Sequence, residues 1–191
     1  MRVILILMFL MSQVQSCAPL LGGIGAVALT STAKEKGLGT SISDNVIHIK
    51  ILNSIFKYKE KDSANITVSV NDGSVLLTGK IKNVDDKIEI TKIVWDVRGV
   101  KEVNNKIQIT DVSNLKNIAR DLASLGEIKA RLIASKELNS LNFSIDVVNN
   151  IAYVSGIAET EKEILLVTKI IQKARFVKEV QNFIKLSQDI R

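Results

Sequence analysis

Few side chains in this sequence could carry covalent or metal chemistry. The 191 residues include one cysteine, Cys17, and one histidine, His48. A single cysteine cannot form an intramolecular disulfide, and one histidine without a cysteine nearby cannot complete a zinc site. Glu159, Glu161 and Glu163 lie at the N-terminus of a predicted helix, where the helix dipole favours acidic side chains, so we interpret them as structural. We therefore predict a protein that is not an enzyme and uses no metal or cofactor.

The cysteine follows the most apolar stretch of the chain, the nine residues Val3–Met11 behind the positive Arg2. This layout is typical of a signal peptide, and the run falls short of the roughly 20 apolar residues that span a bilayer. The segment Val14-Gln15-Ser16-Cys17 resembles a bacterial lipobox. That resemblance implies cleavage before Cys17 and acylation of the new first residue by chains such as palmitate. An ordinary signal peptide with an incidental cysteine is the alternative.

The segment after the cysteine is rich in small residues and glycine, and it becomes polar towards its end. Such a composition cannot bury enough surface to order itself. We predict a signal peptide over residues 1–16 and a flexible tether over residues 17–43. A short apolar helix over Ile24–Thr30, lying on the membrane, is the alternative. More than one acyl chain gives stable anchoring, so the protein is expected to be tethered and not transmembrane.

A second group of residues could bind an anionic surface. The region Leu115–Lys136 has the composition of a basic amphipathic helix. Its candidate lipid-binding residues are Lys116, Arg120, Lys129, Arg131 and Lys136. We expect its leucines to dock into the domain core while its cations meet anionic lipid headgroups. The alternatives are an ordinary core helix with a solvated basic face, and a helix that Gly126 divides in two.

Trp95 is the one tryptophan and a candidate interface residue. At about 100° per residue it lies about 140° from Ile90, which belongs to the apolar face of the same helix, so it is predicted to point away from its own core. Docking against the other half of the chain is our first interpretation. Contact with a membrane or a protein is the second, and a half-buried ring without a partner is the third.

The elements that position these residues form an internal repeat. At an offset of 77 residues, Val100–Val103 recurs identically as Val177–Val180, in a register that holds without a gap over more than 30 residues. Upstream, the loop after the first helix is predicted to be slightly longer in the first copy. Repetition of this length indicates two tandem domains, over residues 44–110 and 111–191.

Hydrophobic periodicity predicts the order αββαβ in each copy. The first helices are predicted over Val46–Lys57 and residues 118–135, and the last strands over Val103–Ile109 and Val180–Leu186. The predicted fold class is α+β, with two tandem αββαβ domains, each of two helices packed on a three-stranded mixed sheet. Each copy alone is small for an independent core, so we expect the copies to dock.

Turn and cap signals support these bounds. Asn71-Asp72-Gly73 and Asn149-Asn150 carry residues that tolerate positive φ, which a tight hairpin needs. Thr160 and Glu163 form a capping signal for the second helix of the second copy, and Asn83 begins a weaker one in the first copy.

The pattern resembles the BON domain family, named for bacterial osmotic-stress and nodulation proteins. The resemblance rests on Gly79 and Gly156, on the segment Gly99–Asn105 and on the segment Val177–Asn182, with Phe176 where the first copy and most members have glycine. With the lipobox, the architecture resembles the dual BON-domain outer-membrane lipoproteins. The resemblance implies a lipid-anchored protein of the outer membrane, facing the periplasm, that binds anionic phospholipid and supports outer-membrane integrity. It also implies that the first helix of the second domain contacts lipid.

The net charge of +6 favours an anionic partner without naming it. The first domain holds 11 basic and 9 acidic side chains and the second 12 and 10, so neither is basic enough to predict nucleic-acid binding. No small-molecule substrate is expected. The alternative function is a periplasmic scaffold that recruits envelope-assembly proteins without recognising lipid directly.

Overall fold

The computed structural model describes residues 38–110 and 115–190. The predicted signal peptide, Cys17 and the predicted tether as far as residue 37 lie outside the described residues. The first domain comprises α1 (Leu38–Tyr58), α2 (Glu60–Ser63), β1 (Ile66–Asn71), β2 (Ser74–Ile81), α3 (Val84–Trp95), β3 (Glu102–Asn105) and β4 (Gln108–Ile109). The second comprises α4 (Leu115–Ala134), β5 (Phe143–Val148), β6 (Ile151–Ala158), α5 (Glu161–Gln172) and β7 (Glu179–Leu186), with 3-10 turns at Ser140–Asn142 and Ser187–Ile190.

The predicted fold class is confirmed. In the first domain β1 pairs antiparallel with β2, and β2 pairs parallel with β3 and β4. In the second domain β5 pairs antiparallel with β6, and β6 pairs parallel with β7. Each sheet is therefore mixed. Each domain also contains two long helices, in the predicted order αββαβ.

Three details differ from the sequence prediction. Helix α1 begins at Leu38 instead of Val46, so the last six residues of the segment expected to be a tether are helical. Helix α4 is continuous through Gly126. The last strand of the first domain is divided, although the amide of Lys106 still donates to the carbonyl of Leu77 between its two parts.

The repeat extends further upstream than the sequence comparison indicated. Ile51 and Ile55 are buried on α1, and their counterparts 77 residues later, Ile128 and Leu132, are buried on α4. The interval from helix to hairpin is therefore equal in the two domains, and the expectation of a longer loop in the first copy was wrong.

Each helix pair packs on one face of its own sheet. The first core is built from the inward positions of α1, α3 and the strands: Ile47, Ile51, Ile55, Ile66, Val68, Val75, Leu77, Ile81, Ile90, Val94, Val97 and Ile107. The second core is built in the same way from Ile128, Leu132, Phe143, Ile145, Val147, Ala152, Val154, Ala158, Val167, Ile171 and Ala174. The aliphatic composition of both cores follows from the shortage of aromatic residues in the sequence.

Two glycines are required by close backbone contacts. A Cβ atom on Gly79 would lie 1.9 Å from the carbonyl oxygen of Asn65, and one on Gly156 would lie 2.2 Å from that of Asn142. Gly79 also has a φ of +120°, which L side chains rarely adopt. In both repeats the glycine backbone lies against the residue just before the neighbouring strand, which leaves no space for a side chain. This close contact explains why both repeats have glycine at this position.

The predicted turns and one of the two predicted caps are present. Asp72 and Asn149 both have positive φ, as does the residue that follows each of them. The Thr160 hydroxyl accepts from the amide of Glu163, as the capping signal predicted. Asn83 makes no side-chain cap bond, and its side-chain Nδ2 donates to the Asp86 carboxylate instead.

The two sheets face each other through the surfaces that carry no helices. Leu76, Val148 and Tyr153 are buried between them. Around this apolar contact, Lys80 pairs with Asp121 at 3.1 Å and Lys185 with Glu102 at 2.8 Å. The expected docking of the copies is thus observed, and the two helix layers lie on opposite outer sides.

Candidate functional site

Helix α4 is the element that carries all but one of the basic residues singled out from the sequence. Ile128 and Leu132 are buried against the second sheet, and Leu125 packs beside them. Asp121 and Ser124, also buried, complete the inward face. This buried face covers about half of the helix circumference, since a helix that lies on a sheet buries one side only.

The opposite face of α4 is apolar as well. Seven exposed residues fall within about 100° of one another around the helix axis, at about 100° per residue. We call them the outer strip: Leu115, Ala119, Leu122, Ala123, Gly126, Ala130 and Ile133. The side chains of Leu115, Leu122 and Ile133 are 79%, 63% and 73% exposed. Within the strip no side chain carries a charge.

The outer strip corrects one sequence-based expectation. The leucines of this helix were expected to dock into the domain core, but Leu115 and Leu122 face solvent. The composition of the helix could not show this, because apolar residues occupy both the inward and the outward positions. Large exposed aliphatic side chains grouped on one surface indicate a site that contacts something else.

The basic residues border the outer strip on both sides. Lys129 and Lys136 lie near one edge of it, at about −20° and −40° from Leu122 if the helical turn is continued past Ala134. Lys116, Arg120 and Arg131 lie near the other edge, at about 120° to 180°. The structure therefore separates the five cations into two borders with the apolar strip between them.

Two of these cations have partners within the domain. Arg131 forms an ion pair with Glu127 at 2.6 Å. The guanidinium carbon of Arg120 lies 5.5 Å from the centre of the Phe176 ring. A hydrogen bond from the amide of Arg175 is the main cause that lowers the pKa of the Glu127 carboxyl, and the Arg131 pair adds to it. Lys116, Lys129 and Lys136 are exposed.

Helix α1 provides an internal comparison, because it occupies the same place in the first domain. It too exposes apolar side chains outward, among them Val46, Ile49 and Phe56. Its charge pattern differs. The positions equivalent to the five basic residues of α4 hold Gly39, Ser43, Leu52, Ser54 and Lys59. Helix α1 also carries the exposed cations Lys50 and Lys57 near one edge of its apolar surface. At the other edge Leu52 stands where α4 has Lys129, and Lys59 pairs with Asp86. Free cations on both borders of the apolar strip therefore distinguish the second domain.

Trp95 lies at the end of α3, on the outer layer of the first domain. Its side chain is 51% exposed, as its helical position predicted. The cluster between the domains is formed by other residues, so the docking of Trp95 against the second copy is not seen there. Val84 and Ile88 are exposed on the same side of α3, and contact of this surface with a membrane or a protein stays a prediction.

The remaining candidates for chemistry are placed as follows. No group of three or more His, Cys, Asp or Glu residues within 38–110 and 115–190 could hold a metal ion. His48 is half-buried on α1, beside a polar cleft between the domains. The Glu163 carboxylate accepts from the amide of Glu159 at the start of α5, which fits the structural interpretation of these glutamates.

Among the described helices, none is both long enough and apolar enough to cross a bilayer.

The family model for the BON domain matches residues 43–111 and 125–188. This chain belongs to the BON domain family. One match covers each αββαβ unit, the second beginning within α4, so the protein is a dual BON-domain protein.

Three relatives illustrate the range of the similarity. A protein of Anaplasma centrale, named only as uncharacterized in the gshII 5′ region, is 37% identical over 76% of this chain and 95% of its own length. Osmotically-inducible protein Y of Escherichia coli is 25% identical over 78% of this chain and 75% of its own length. The outer membrane lipoprotein DolP of Haemophilus influenzae is 24% identical over 74% of each chain.

Sequence reasoning missed two features of this surface. It assigned no role to Leu115 and Leu122 as outward-facing residues, which the 3.6-residue period of α4 could have shown. It noted Phe176 as an atypical turn residue but did not connect it with Arg120, 56 positions earlier. Only the packing of α4 against the turn after α5 brings those two residues together.

Proposed function

We propose that this protein is a lipid-anchored envelope protein that binds anionic phospholipid through α4 and thereby supports outer-membrane integrity. One observation carries the proposal: the uncharged outer strip of α4 lies between two borders of cations. A helix with this arrangement can lie in the headgroup region with its apolar strip in the acyl boundary.

The energies involved favour a reversible contact. Each cation near an anionic surface contributes about 1 kcal/mol, and burial of a leucine or isoleucine side chain contributes about 1.5–3 kcal/mol. Immobilisation of the domain opposes these gains. The acyl anchor supports the weak contact, because it confines the protein to the membrane where α4 can bind repeatedly.

The compartment rests on the N-terminal residues and on the relatives. The apolar run before Cys17 and the lipobox-like Val14–Cys17 favour export and acylation. A relative that matches three quarters of this chain is named as an outer membrane lipoprotein. We therefore place the protein at the outer membrane, anchored through Cys17 and facing the periplasm.

Vesicle binding tests the proposal. The chain from residue 18 retains both domains and removes the anchor from the measurement. We expect it to float with vesicles that contain phosphatidylglycerol and to remain unbound with vesicles of phosphatidylcholine alone. Binding should weaken as salt rises, because screening reduces the attraction between surface charges. Equal binding to both kinds of vesicle, or to neither, would refute anionic lipid recognition.

Matched variants locate the site. Leu122→Glu together with Ile133→Glu should reduce binding at least tenfold, because carboxylates replace the apolar anchors. The control is Leu165→Glu, since Leu165 is 70% exposed on α5 of the same domain. Lys116→Glu with Lys129→Glu should have a similar effect to the first pair, and Lys169→Glu on α5 should not. Loss of binding in the controls would place the site elsewhere.

A second candidate function is supported by α1 and α3. The outward side chains Val46, Ile49 and Phe56 have exposed cations near one edge only, and Trp95 is exposed on the neighbouring helix. An apolar surface with an aromatic residue suits a protein partner more than a charged bilayer. A scaffold role towards envelope proteins would use this layer, and substitution of Phe56 by Asp would weaken it without changing vesicle binding.

A further inference from the structure

The turn after α5, residues 172–178, differs from its counterpart in the first domain. Phe176 has a φ of +67°, a conformation that costs a bulky residue about 1–2 kcal/mol. The equivalent residue of the first domain is Gly99, which adopts positive φ without that cost. Phe176 is also 39% exposed, so burial in the core does not account for it.

Side chains of helix α4 form hydrogen bonds with both the carbonyl and the amide of Arg175 in this turn. The Ser124 hydroxyl donates to the carbonyl of Arg175, and the amide of Arg175 donates to Glu127 at 2.9 Å. These bonds fix the backbone immediately before Phe176. The strained conformation is thereby maintained, and the ring stays at the surface.

Two guanidinium groups converge on the exposed ring. The guanidinium carbon of Arg120 lies 5.5 Å from its centre and that of Arg175 lies 5.9 Å away. Arginine stacks well on aromatic faces and presents several donors that match the oxygen atoms of a phosphate. Two like charges close to one ring repel each other, and a bound anion would offset part of that repulsion.

The charge of the turn also differs between the domains. Residues 172–178 contain Lys173, Arg175 and Lys178 and no acid, whereas residues 95–101 contain two cations and an acid. In the first domain Lys101 pairs with Asp72 at 3.0 Å, but the residue equivalent to Asp72 in the second domain is Asn149. Arg120 adds a further cation where the first domain has a serine, whereas Glu127, which accepts from the amide of Arg175, adds an acid where the first domain has Lys50.

From these observations we infer that Phe176, Arg120 and Arg175 form a phosphate-headgroup site, with the Phe176 ring inserted at the surface of an anionic bilayer. The site continues the border of the outer strip on which Arg120 lies, so it deepens the proposed function of α4 and rests on it. Charge complementarity selects the bilayer as the occupant. The ring supplies the apolar contact and the arginines bind the lipid phosphates.

Variants of the turn test the inference on the chain from residue 18. Phe176→Gly copies the first domain and suits the positive φ, so the variant should fold and retain its thermal stability. We expect Phe176→Gly and Arg175→Gln each to lower affinity for phosphatidylglycerol vesicles about three- to tenfold. Arg98→Gln, at the equivalent position of the first domain, is the control and should bind as the unmodified chain does.

A spectroscopic probe separates contact from structural support. In a Trp95→Phe background, Phe176→Trp places the one indole in the turn, and its emission should shift to the blue when phosphatidylglycerol vesicles are added. Unchanged emission, or unchanged affinity in both turn variants while the unmodified chain binds, would overturn this inference and leave the α4 proposal intact. Failure of the unmodified chain to bind these vesicles would overturn both.

Discussion

Asp44 and Asp121, which lie 77 residues apart, hold the two hairpin turns in the same way. The Asp44 carboxylate accepts from the amides of Asp72 and Gly73, each at 2.9 Å. The Asp121 carboxylate accepts from the amides of Asn149 and Asn150, also at 2.9 Å. A buried aspartate on the first helix of each domain therefore accepts from the backbone amides of the tight turn between the first two strands.

Asp121 also pairs with Lys80 of the first domain. Asp44→Ala should lower the free energy of unfolding by about 1–3 kcal/mol, the cost of leaving buried amides without acceptors. Asp121→Ala should cost about 3–5 kcal/mol, since the Lys80 side chain, only 13% exposed, also loses its partner. Urea unfolding followed by circular dichroism measures both. Equal losses would show that the Lys80 contact contributes nothing.

Gly79→Ala and Gly156→Ala should each destabilise the fold severely. The new Cβ atom would lie within 2.2 Å of a backbone carbonyl oxygen, which no side-chain movement can relieve. The expected loss exceeds the 1–3 kcal/mol typical of an overpacked core. Thermal unfolding of the purified variants, or their failure to accumulate as soluble protein, checks this prediction.

Gly126→Ala is the matched control for those two changes, and its expected effect has the opposite sign. A Cβ atom at this position meets nothing within 4 Å. Alanine in a helix interior is favoured over glycine by about 0.5–1 kcal/mol, so the melting temperature should rise. A fall in stability would mean that α4 does not run continuously through this residue.

The ion pair between Glu102 and Lys185 should make stability depend on pH. The hydrogen bond from Lys185, with smaller contributions from Asn104 and Ser74, lowers the pKa of the Glu102 carboxyl to about 2. Because the pKa is lower in the folded state, the ion pair stabilises the fold at pH values above the pKa of the unfolded chain, about 4.3. That stabilisation is lost as pH falls towards 2. Both side chains are nearly half exposed, so solvent screening makes the effect smaller than the pKa alone implies.

The pH dependence of thermal unfolding, measured between pH 6 and pH 2, tests this effect. Glu102→Gln should flatten the acid limb of the curve. Glu179→Gln is the matched control, since it removes a carboxylate whose partner Gln181 belongs to the same domain. A Glu102→Gln curve parallel to that of the unmodified protein would contradict the assignment.

Acylation at Cys17 predicts a simple labelling result. Cells that express the full chain should incorporate radioactive palmitate into it, and the Cys17→Ala variant should remain unlabelled. The variant should also run as the uncleaved precursor, since cleavage follows acylation of the cysteine. Unlabelled full chain would remove the anchor from the proposed function.

Trp95 reports on the orientation of the molecule at a membrane. The two helix layers lie on opposite outer sides, so contact through α4 leaves α3 facing away from the bilayer. The intrinsic emission should be that of a solvated indole and should stay unchanged when the protein binds phosphatidylglycerol vesicles. A blue shift on binding would instead place Trp95 in the lipid contact.

Much of the architecture could be predicted from the sequence. The 77-residue repeat and the alternation of apolar residues predicted two αββαβ domains, because helix and strand periods are local properties of the chain. The turn residues were recognised for the same reason, since positive φ is a property of single positions. Local signals were weaker at the N-terminus of α1, where the apolar period begins eight residues after the helix does.

The tertiary structure decided which surfaces are free. Leu122 and Leu132 are the same residue type on one helix, and only the position of the sheet makes one exposed and the other buried. The pairing of Lys80 with Asp121 and the convergence of Arg120 and Arg175 on Phe176 depend on contacts between residues far apart in the chain. Such contacts arise when helices and sheets pack together, and periodicity within one element does not encode them.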